Sequence, residues 1–144
     1  LVGSEMCIRD RYEEKGKFYL FVKSSPNPDN LLLLVSDHVN GKFERVEGFD
    51  DSMGAQTKGM YEAPTAVKLA DGRWCLFADF YGAGCAGQGY VPFVSDDLTK
   101  GVFTRADEAF HFPYGFKHGT ILPITEEEYE RMLARDWTDV PDLR

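Results

Sequence analysis

Two polar residues of this sequence stand just ahead of apolar runs, at places that match each other. Glu62 precedes one such run and His118 precedes another, and they are 56 positions apart. The similar segments that begin at Gly16 and Gly72 have the same separation. Glu62 and His118 therefore occupy equivalent places in successive repeats, and we expect both side chains to reach one pocket. A carboxyl group in such a pocket can act as a general acid.

Each of these residues also has a simpler explanation. A glutamate is usually solvated in a loop, and a lone histidine is often a neutral core residue that makes one hydrogen bond. Tyr61 and Pro64 flank Glu62 as the chain enters a predicted buried strand, and a glycine follows His118. This setting and the shared repeat position favour pocket residues in both cases.

The elements that must position these residues belong to a repeat. Its matched segments are offset by 56, 59 and 60 residues: 16–21 (GKFYLF) with 72–77 (GRWCLF), 35–37 (VSD) with 94–96 (VSD), and 41–45 (GKFER) with 101–105 (GVFTR). Short apolar strands that repeat with such a period are typical of the blades of a β-propeller. The predicted fold class is all-β, a partial propeller of about two blades and a closing strand.

The second repeat contains a complete predicted blade. Its four strands are predicted at residues 65–69, 73–80, 89–94 and 101–105, with the Asp71-Gly72 turn after the first of them. The first unit, residues 12–47, is predicted to keep three outer strands, and residues 118–124 to form a single innermost strand. Thr125 and Glu128 form a capping-box pattern, which predicts a short helix that ends near Ala134.

Composition excludes several classes of function. The 144 residues include 16 Lys and Arg against 24 Asp and Glu, a net charge of −8, which argues against a nucleic-acid partner. No apolar run approaches the length of a membrane helix, so no membrane partner is expected. The three cysteines lack the spacing of a zinc site or a disulfide framework, and Cys75 is predicted to be a core residue.

Residues 1–11 (LVGSEMCIRDR) have neither strand nor helix periodicity. They resemble translated sequencing adaptor, so we interpret them as a foreign or disordered segment. The predicted domain, a partial propeller, then covers residues 12–144. No localisation follows from the sequence.

Several motifs resemble glycoside hydrolase family 43. Residues 61–65 (YEAPT), followed by 71–76 (DGRWCL), are similar to the Glu-Gly-Pro motif and next strand of that family, with Ala63 where Gly is commoner. Residues 95–98 (SDDL) are similar to its blade turn, and residues 116–120 (FKHGT) resemble its His-Gly motif. The resemblance covers roughly residues 12–133.

This resemblance implies a five-bladed propeller that hydrolyses α-L-arabinofuranosyl or β-D-xylosyl linkages with inversion. Glu62 matches the family's general acid, which protonates the departing oxygen. An aspartate that serves as general base and a second that tunes the acid are also implied. Neither role is assigned, because the position one repeat before Glu62 is Met6, within residues 1–11. This chain alone is therefore expected to be inactive.

The resemblance also implies a sugar partner, a plant-type oligosaccharide or polysaccharide. We predict that residues near the pocket end of the strands bind it: Tyr61, Phe80, Tyr81, Phe116, Lys117 and His118. Ordinary packing is the simpler role for these side chains. No cofactor is required, although His118 matches a residue that often stands beside a structural calcium ion on the propeller axis.

Two alternatives stay open. A fructan-hydrolysing propeller has a similar acid but retains the anomeric configuration through a nucleophilic aspartate. A non-catalytic sugar-binding propeller would need no acid at all.

Overall fold

Two four-stranded antiparallel sheets make up most of the structure. The computed structural model describes residues 8–23, 31–56, 61–81, 89–110 and 117–135. The strands of the first sheet are β1 (Ile8–Glu14), β2 (Lys17–Lys23), β3 (Leu31–Ser36) and β4 (Glu44–Arg45). They lie in the order β1-β2-β3-β4, and a turn with left-handed Lys15 and Gly16 joins the first two strands.

The second sheet repeats this arrangement. It has the order β5-β6-β7-β8, formed by β5 (Tyr61–Lys68), β6 (Trp74–Phe80), β7 (Gly89–Ser95) and β8 (Thr104–Arg105). Gly72, with a φ of 88°, and the Asp71 carboxylate, which accepts a hydrogen bond from Arg73 N at 3.0 Å, form the turn between β5 and β6. The predicted complete unit is confirmed, and β5 begins four residues earlier than expected.

Two details of the predicted repeat were wrong. The first unit has four strands, because β1 pairs with β2 and supplies the strand that was expected to be missing. The origin of residues 1–11 stays a prediction, and residues 8–11 lie within β1. Residues 118–124 form no strand, because no strand of the described residues lies beside them to complete a ladder of hydrogen bonds.

One core is shared by the two sheets. Tyr19 and Phe21 of β2 belong to the same buried cluster as Leu76 of β6 and Phe93 of β7. The Tyr12 hydroxyl accepts a hydrogen bond from the Ala66 backbone at 2.6 Å, which joins the two sheets through a polar contact.

Helix α1 (Phe49–Gln56) closes one side of this core and was not predicted. Phe49 and Met53 are buried, and the rings of Phe21, Phe49 and Phe103 meet edge to face with centroids 5.6 to 5.9 Å apart. Ser52 Oγ donates a hydrogen bond to the Phe103 backbone at 2.8 Å. Because aromatic side chains bury large apolar areas, this contact between repeats stabilises both sheets.

The short C-terminal helix is confirmed. Helix α2 (Glu126–Ala134) begins at Thr125, whose side chain accepts a hydrogen bond from Glu128 N while the Glu128 side chain accepts one from Thr125 N. Cys75 is fully buried as predicted, and burial raises the pKa of its thiol to about 12. Among the described helices, none is long and apolar enough to cross a membrane.

Candidate active site

Strand β5 is interrupted at its beginning, where Glu62 lies. Ala63 has a φ of 48° and is 2% exposed, and the pairing of β5 with β6 shifts register between Glu62 and Thr65. A left-handed conformation costs a residue other than glycine about 1–2 kcal/mol. Such strain concentrates at functional sites. The Glu62 side chain keeps 26% of its surface exposed at this interruption.

Lys23, the last residue of β2, brings a positive charge from the first sheet to Glu62. Its Nζ donates a hydrogen bond to Glu62 Oε2 at 2.9 Å and lies 4.5 Å from the centre of the Tyr81 ring. Burial works to lower the pKa of Lys23, but its hydrogen bonds to Glu62 and Tyr81 outweigh burial and leave this pKa raised. Lys23 therefore stays charged and holds one oxygen of Glu62.

His118 faces the other oxygen of Glu62. Its Nε2 lies 3.5 Å from Glu62 Oε1, and its Nδ1 lies 3.1 Å from Asp79 Oδ2. The His118 backbone is left-handed, with a φ of 51°, and 44% of its side chain is exposed. The structure thus brings together the two residues that their repeat position predicted to converge.

Asp79 is the buried member of this group. It pairs with Glu62 in the register of β5 and β6 and is fully buried. The contact with His118 Nδ1 is close but not aligned as a hydrogen bond, and neither Asp79 oxygen has a hydrogen-bond partner in the part of the chain that the structure describes. Burial raises the pKa of Asp79, and the nearby Lys117 and His118 offset this only in part.

Lys23 and Asp79 were both missed in the sequence, although the repeat contains the signal. They are 56 residues apart, the separation of Glu62 from His118. Each is a charged residue that follows an apolar run at or near the end of its strand, FYLFV before Lys23 and WCLFA before Asp79. The four residues, which we call the Glu62 cluster, thus occupy only two positions of the repeat.

The predicted sugar-binding residues are not all in this cluster. Tyr61 is 3% exposed and lies in the shared core, with its ring 5.2 Å from that of Phe80 and 5.6 Å from that of Phe93. Its partner Phe80 is half-buried. Both side chains therefore have the packing role that was their simpler explanation, and Phe80 keeps some exposed surface.

Two other predicted residues border the Glu62 cluster. The Tyr81 ring lies against Lys23, and Lys117 is exposed and close enough to Asp79 to influence its pKa. Phe116 lies outside the described residues. Tyr81 and Lys117 thus border the Glu62 cluster, and their contact with a sugar stays a prediction.

A cavity of about 510 Å³ lies elsewhere in the second sheet. Its lining includes Arg73, Asp97, Lys100 and Arg105, from the strand ends and turns around β7 and β8, and no member of the Glu62 cluster. This cavity is an open depression among charged turn residues. The combination of a buried carboxylate, an imidazole and strained backbone is found at Glu62, so we take the Glu62 cluster as the candidate site.

Three residues of this cluster offer potential metal ligands. One atom each of Glu62, Asp79 and His118 lies within 4.8 Å of the others. Calcium takes six to eight oxygen ligands, whereas this set has two carboxylates and one nitrogen, and the Lys23 ammonium already neutralises Glu62. These residues by themselves do not fit a calcium ion, and metal binding by His118 stays a prediction.

Comparison with known proteins identifies the family. Residues 3–130 match the family described as a probable glycosyl hydrolase domain, related to glycoside hydrolase family 43. No curated protein and no solved structure matches the chain. The match includes both sheets and the whole Glu62 cluster. The chain therefore belongs to this family of probable glycosyl hydrolase domains.

Proposed function

We propose that this chain carries the acid-bearing part of an inverting glycoside hydrolase that cleaves α-L-arabinofuranosyl or β-D-xylosyl linkages. Glu62 is the general acid in this proposal. The observation that carries it is the position of Glu62, partly exposed at a strained strand start between Lys23 and His118. The family match supports hydrolysis, and the resemblance of the Glu62 and His118 motifs supports the linkage class.

The proposed architecture is a five-bladed propeller in which each sheet is one blade. Support comes from two sheets of the same strand order that pack on one core, as neighbouring blades do. The other face of the second sheet is also apolar: Cys75, Phe77 and Tyr90 are buried there, beneath the partly buried Phe110 and Ile121. A further blade would cover the apolar surface that Phe110 and Ile121 still expose.

The proton of the acid step is proposed to leave from Glu62 Oε1. Lys23 holds Oε2, so Oε1 is the oxygen that can carry a proton, and it points towards the exposed His118. Transfer of this proton to the glycosidic oxygen breaks the bond to the leaving group. Water attacks the anomeric carbon from the opposite face, and a general base takes the proton of that water.

Asp79 does not suit the role of base or nucleophile. Acid and base stand about 6.5–9.5 Å apart in inverting enzymes, whereas potential ligand atoms of Glu62 and Asp79 lie within 4.8 Å. A retaining nucleophile stands about 5–5.5 Å from the acid, but it must touch the sugar, and Asp79 is fully buried. The base is therefore not assigned to any described residue, and the fructan-type alternative gains no support from Asp79.

Tyr81, Lys117 and His118 are proposed to contact the sugar. Tyr81 offers a ring face beside Lys23, and the side chains of Lys117 and His118 are exposed at the same edge. A neutral plant-type oligosaccharide suits this mixture of ring and hydrogen-bonding groups. No step of the proposed reaction uses a metal ion.

Replacement of Glu62 by Gln in the intact protein tests the acid role. We expect kcat on natural glycosides to fall by at least about 1,000-fold, because an amide cannot protonate the leaving oxygen. Glu14→Gln is the matched control, since Glu14 also pairs with a lysine across the sheets. Activity that survives in the Glu62 variant would overturn the assignment.

The stereochemistry of the product tests the class. We expect ¹H NMR of the first product to show the inverted anomer. Net retention would replace this proposal by the fructan-type alternative. Sugar binding without turnover by the unmodified protein would favour the non-catalytic propeller.

A further inference from the structure

A row of three side chains crosses the second sheet beneath His118. Glu62 on β5 pairs in register with Asp79 on β6, and Asp79 pairs with Tyr90 on β7. Residues directly opposite each other on neighbouring strands have adjacent side chains. All three contact the segment that contains His118 and Gly119. Residues that are distant in sequence thus hold one short segment.

Tyr90 holds the backbone of that segment. Its hydroxyl donates a hydrogen bond to Gly119 O at 2.6 Å and accepts one from Gly119 N. Tyr90 is 7% exposed, and its ring packs against Phe77 with centroids 6.3 Å apart. The hydroxyl therefore stands on a rigid support and satisfies both polar backbone groups of Gly119, next to the left-handed His118.

Asp79 holds the side chain of His118. A neutral imidazole carries one N–H, and the partner of one nitrogen determines which nitrogen is protonated. Asp79 Oδ2 lies 3.1 Å from Nδ1, and although this contact is not aligned as a hydrogen bond, a carboxylate oxygen at this distance favours a hydrogen on the nitrogen that faces it, so it selects the Nδ1–H form. Nε2 is then an acceptor, and it faces Glu62 Oε1 at 3.5 Å.

We propose that Asp79 and Tyr90 are positioning residues that keep His118 in the Nδ1–H form with Nε2 directed at Glu62. Nε2 can then accept a hydrogen bond from a protonated Glu62 and orient its proton before transfer. The effect on catalysis rests on the proposed role of Glu62 as acid. The orientation of His118 does not rest on it.

Long-range ¹H–¹⁵N NMR of the imidazoles tests this orientation in the intact protein at a pH of about 9, where an ordinary imidazole is neutral. The chain has three histidines, and His118→Asn identifies the signal of His118. We expect the Nδ1–H form to predominate at His118 in the unmodified protein. Asp79→Asn should shift the ratio of the two forms at least several-fold towards Nε2–H and leave His38 unchanged.

Tyr90→Phe tests the backbone contact, with Tyr129→Phe as its matched control because Tyr129 is 47% exposed on α2. We expect the Tyr90 variant to shift or broaden the His118 signal and to lower kcat about tenfold, with less effect on KM. The Tyr129 variant should match the unmodified protein in both measurements.

The proposal is overturned if the Nε2–H form predominates at His118 in the unmodified protein. Because this measurement is made on the unmodified protein, it tests the proposal even if the Asp79 or Tyr90 variant fails to fold. An unchanged ratio in folded Asp79→Asn protein would also overturn it. If Glu62→Gln stays active while the ratio shifts as expected, the acid role fails and the positioning role stands. If Glu62→Gln is inactive and the ratio does not respond to Asp79→Asn, the positioning role alone fails.

Discussion

Each end of strand β5 forms a lysine–glutamate ion pair with the first sheet, but β5 supplies the glutamate at one end and the lysine at the other. At its beginning, Glu62 of the second sheet pairs with Lys23 of the first at 2.9 Å. At its end, Lys68 of the second sheet pairs with Glu14 of the first at 2.6 Å. Two ion pairs therefore join this strand to the neighbouring sheet.

Their surroundings differ. The backbone is strained at Ala63 near the beginning, where the buried Asp79 and the imidazole of His118 stand beside Glu62. At the other end Lys68 lies opposite Trp74 in regular pairing, and its side chain is 47% exposed. An ion pair alone thus does not identify a site. The buried carboxylate and the strained backbone distinguish the end with the candidate site from the end with an ion pair alone.

Removal of each lysine should give the largest contrast between the two ends. We expect Lys23→Met in the intact protein to lower kcat/KM about 100-fold, because Glu62 loses the partner that orients it and small misplacements of a catalytic group have effects of this size. Lys68→Met should change kcat/KM by less than about twofold, since exposed ion pairs contribute little. Steady-state kinetics on a natural glycoside measures kcat/KM of both variants, and equal losses would contradict the difference between the two ion pairs.

The strained backbone should make the beginning of β5 sensitive to side-chain shape. Ala63→Val is expected to lower the free energy of unfolding by about 2–3 kcal/mol, because a β-branched residue resists φ of 48° and overfills a site that is 2% exposed. Ala63→Gly should stay within about 1 kcal/mol of the unmodified protein, since relief of strain offsets the added chain entropy. Urea denaturation tests both, and a neutral valine variant would contradict the strain.

Much of the fold could be predicted from the sequence because its signals are local. The short apolar strands of the second repeat, the Asp71-Gly72 turn and the capping box at Thr125 each depend on a few adjacent residues, and the structure has each of them close to its predicted place. Helix α1 has no such signal: its segment, FDDSMGAQ, includes a glycine and two aspartates. It is stabilised by burial of Phe49 and Met53 between the sheets, which only the tertiary structure reveals.

Two of the four residues of the Glu62 cluster could be predicted from the sequence. Glu62 and His118 stand before apolar runs at matching places of the repeat, and the structure brings them together. Lys23 and Asp79 lie in strands that look like ordinary core. Their convergence depends on how one sheet packs against the next and on the register of β5 with β6. Comparison of strand ends across the repeat would have found both.

The buried carboxylate should destabilise the protein at neutral pH. Burial raises the pKa of Asp79 in the folded chain above its ordinary value of 3.8, so the unfolded chain loses this proton at a lower pH than the folded chain does. Stability is therefore lost as the pH rises from about 4 towards the raised pKa. We expect Asp79→Asn to raise the free energy of unfolding at pH 7 by about 1 kcal/mol, because it removes a buried charge without hydrogen bonds.

Urea denaturation at pH 7 and near pH 3 measures this effect. The gain should disappear near pH 3, where Asp79 is neutral in both states. Asp96→Asn, at an exposed turn, is the matched control and should change stability little. A loss of stability in the Asp79 variant at pH 7 would contradict the cost assigned to this carboxylate.

The end of β5 with an ion pair alone should show the opposite pH dependence and the smallest effect. The hydrogen bond from Lys68 holds the pKa of Glu14 below its ordinary value of 4.5, so this pair stabilises the fold above about pH 4.5 and loses its contribution as the pH falls through the lowered pKa. We expect Glu14→Gln to lower the free energy of unfolding at pH 7 by roughly 0.5 kcal/mol, because solvent screens the half-exposed Lys68. The difference should shrink near pH 3 and in about 1 M salt, where the Debye length is only about 3 Å. Over the same rise in pH, Asp79→Asn should become more stable than the unmodified protein and Glu14→Gln less stable. These opposite changes in the free energy of unfolding separate the buried carboxylate from the ion pair at the other end of β5.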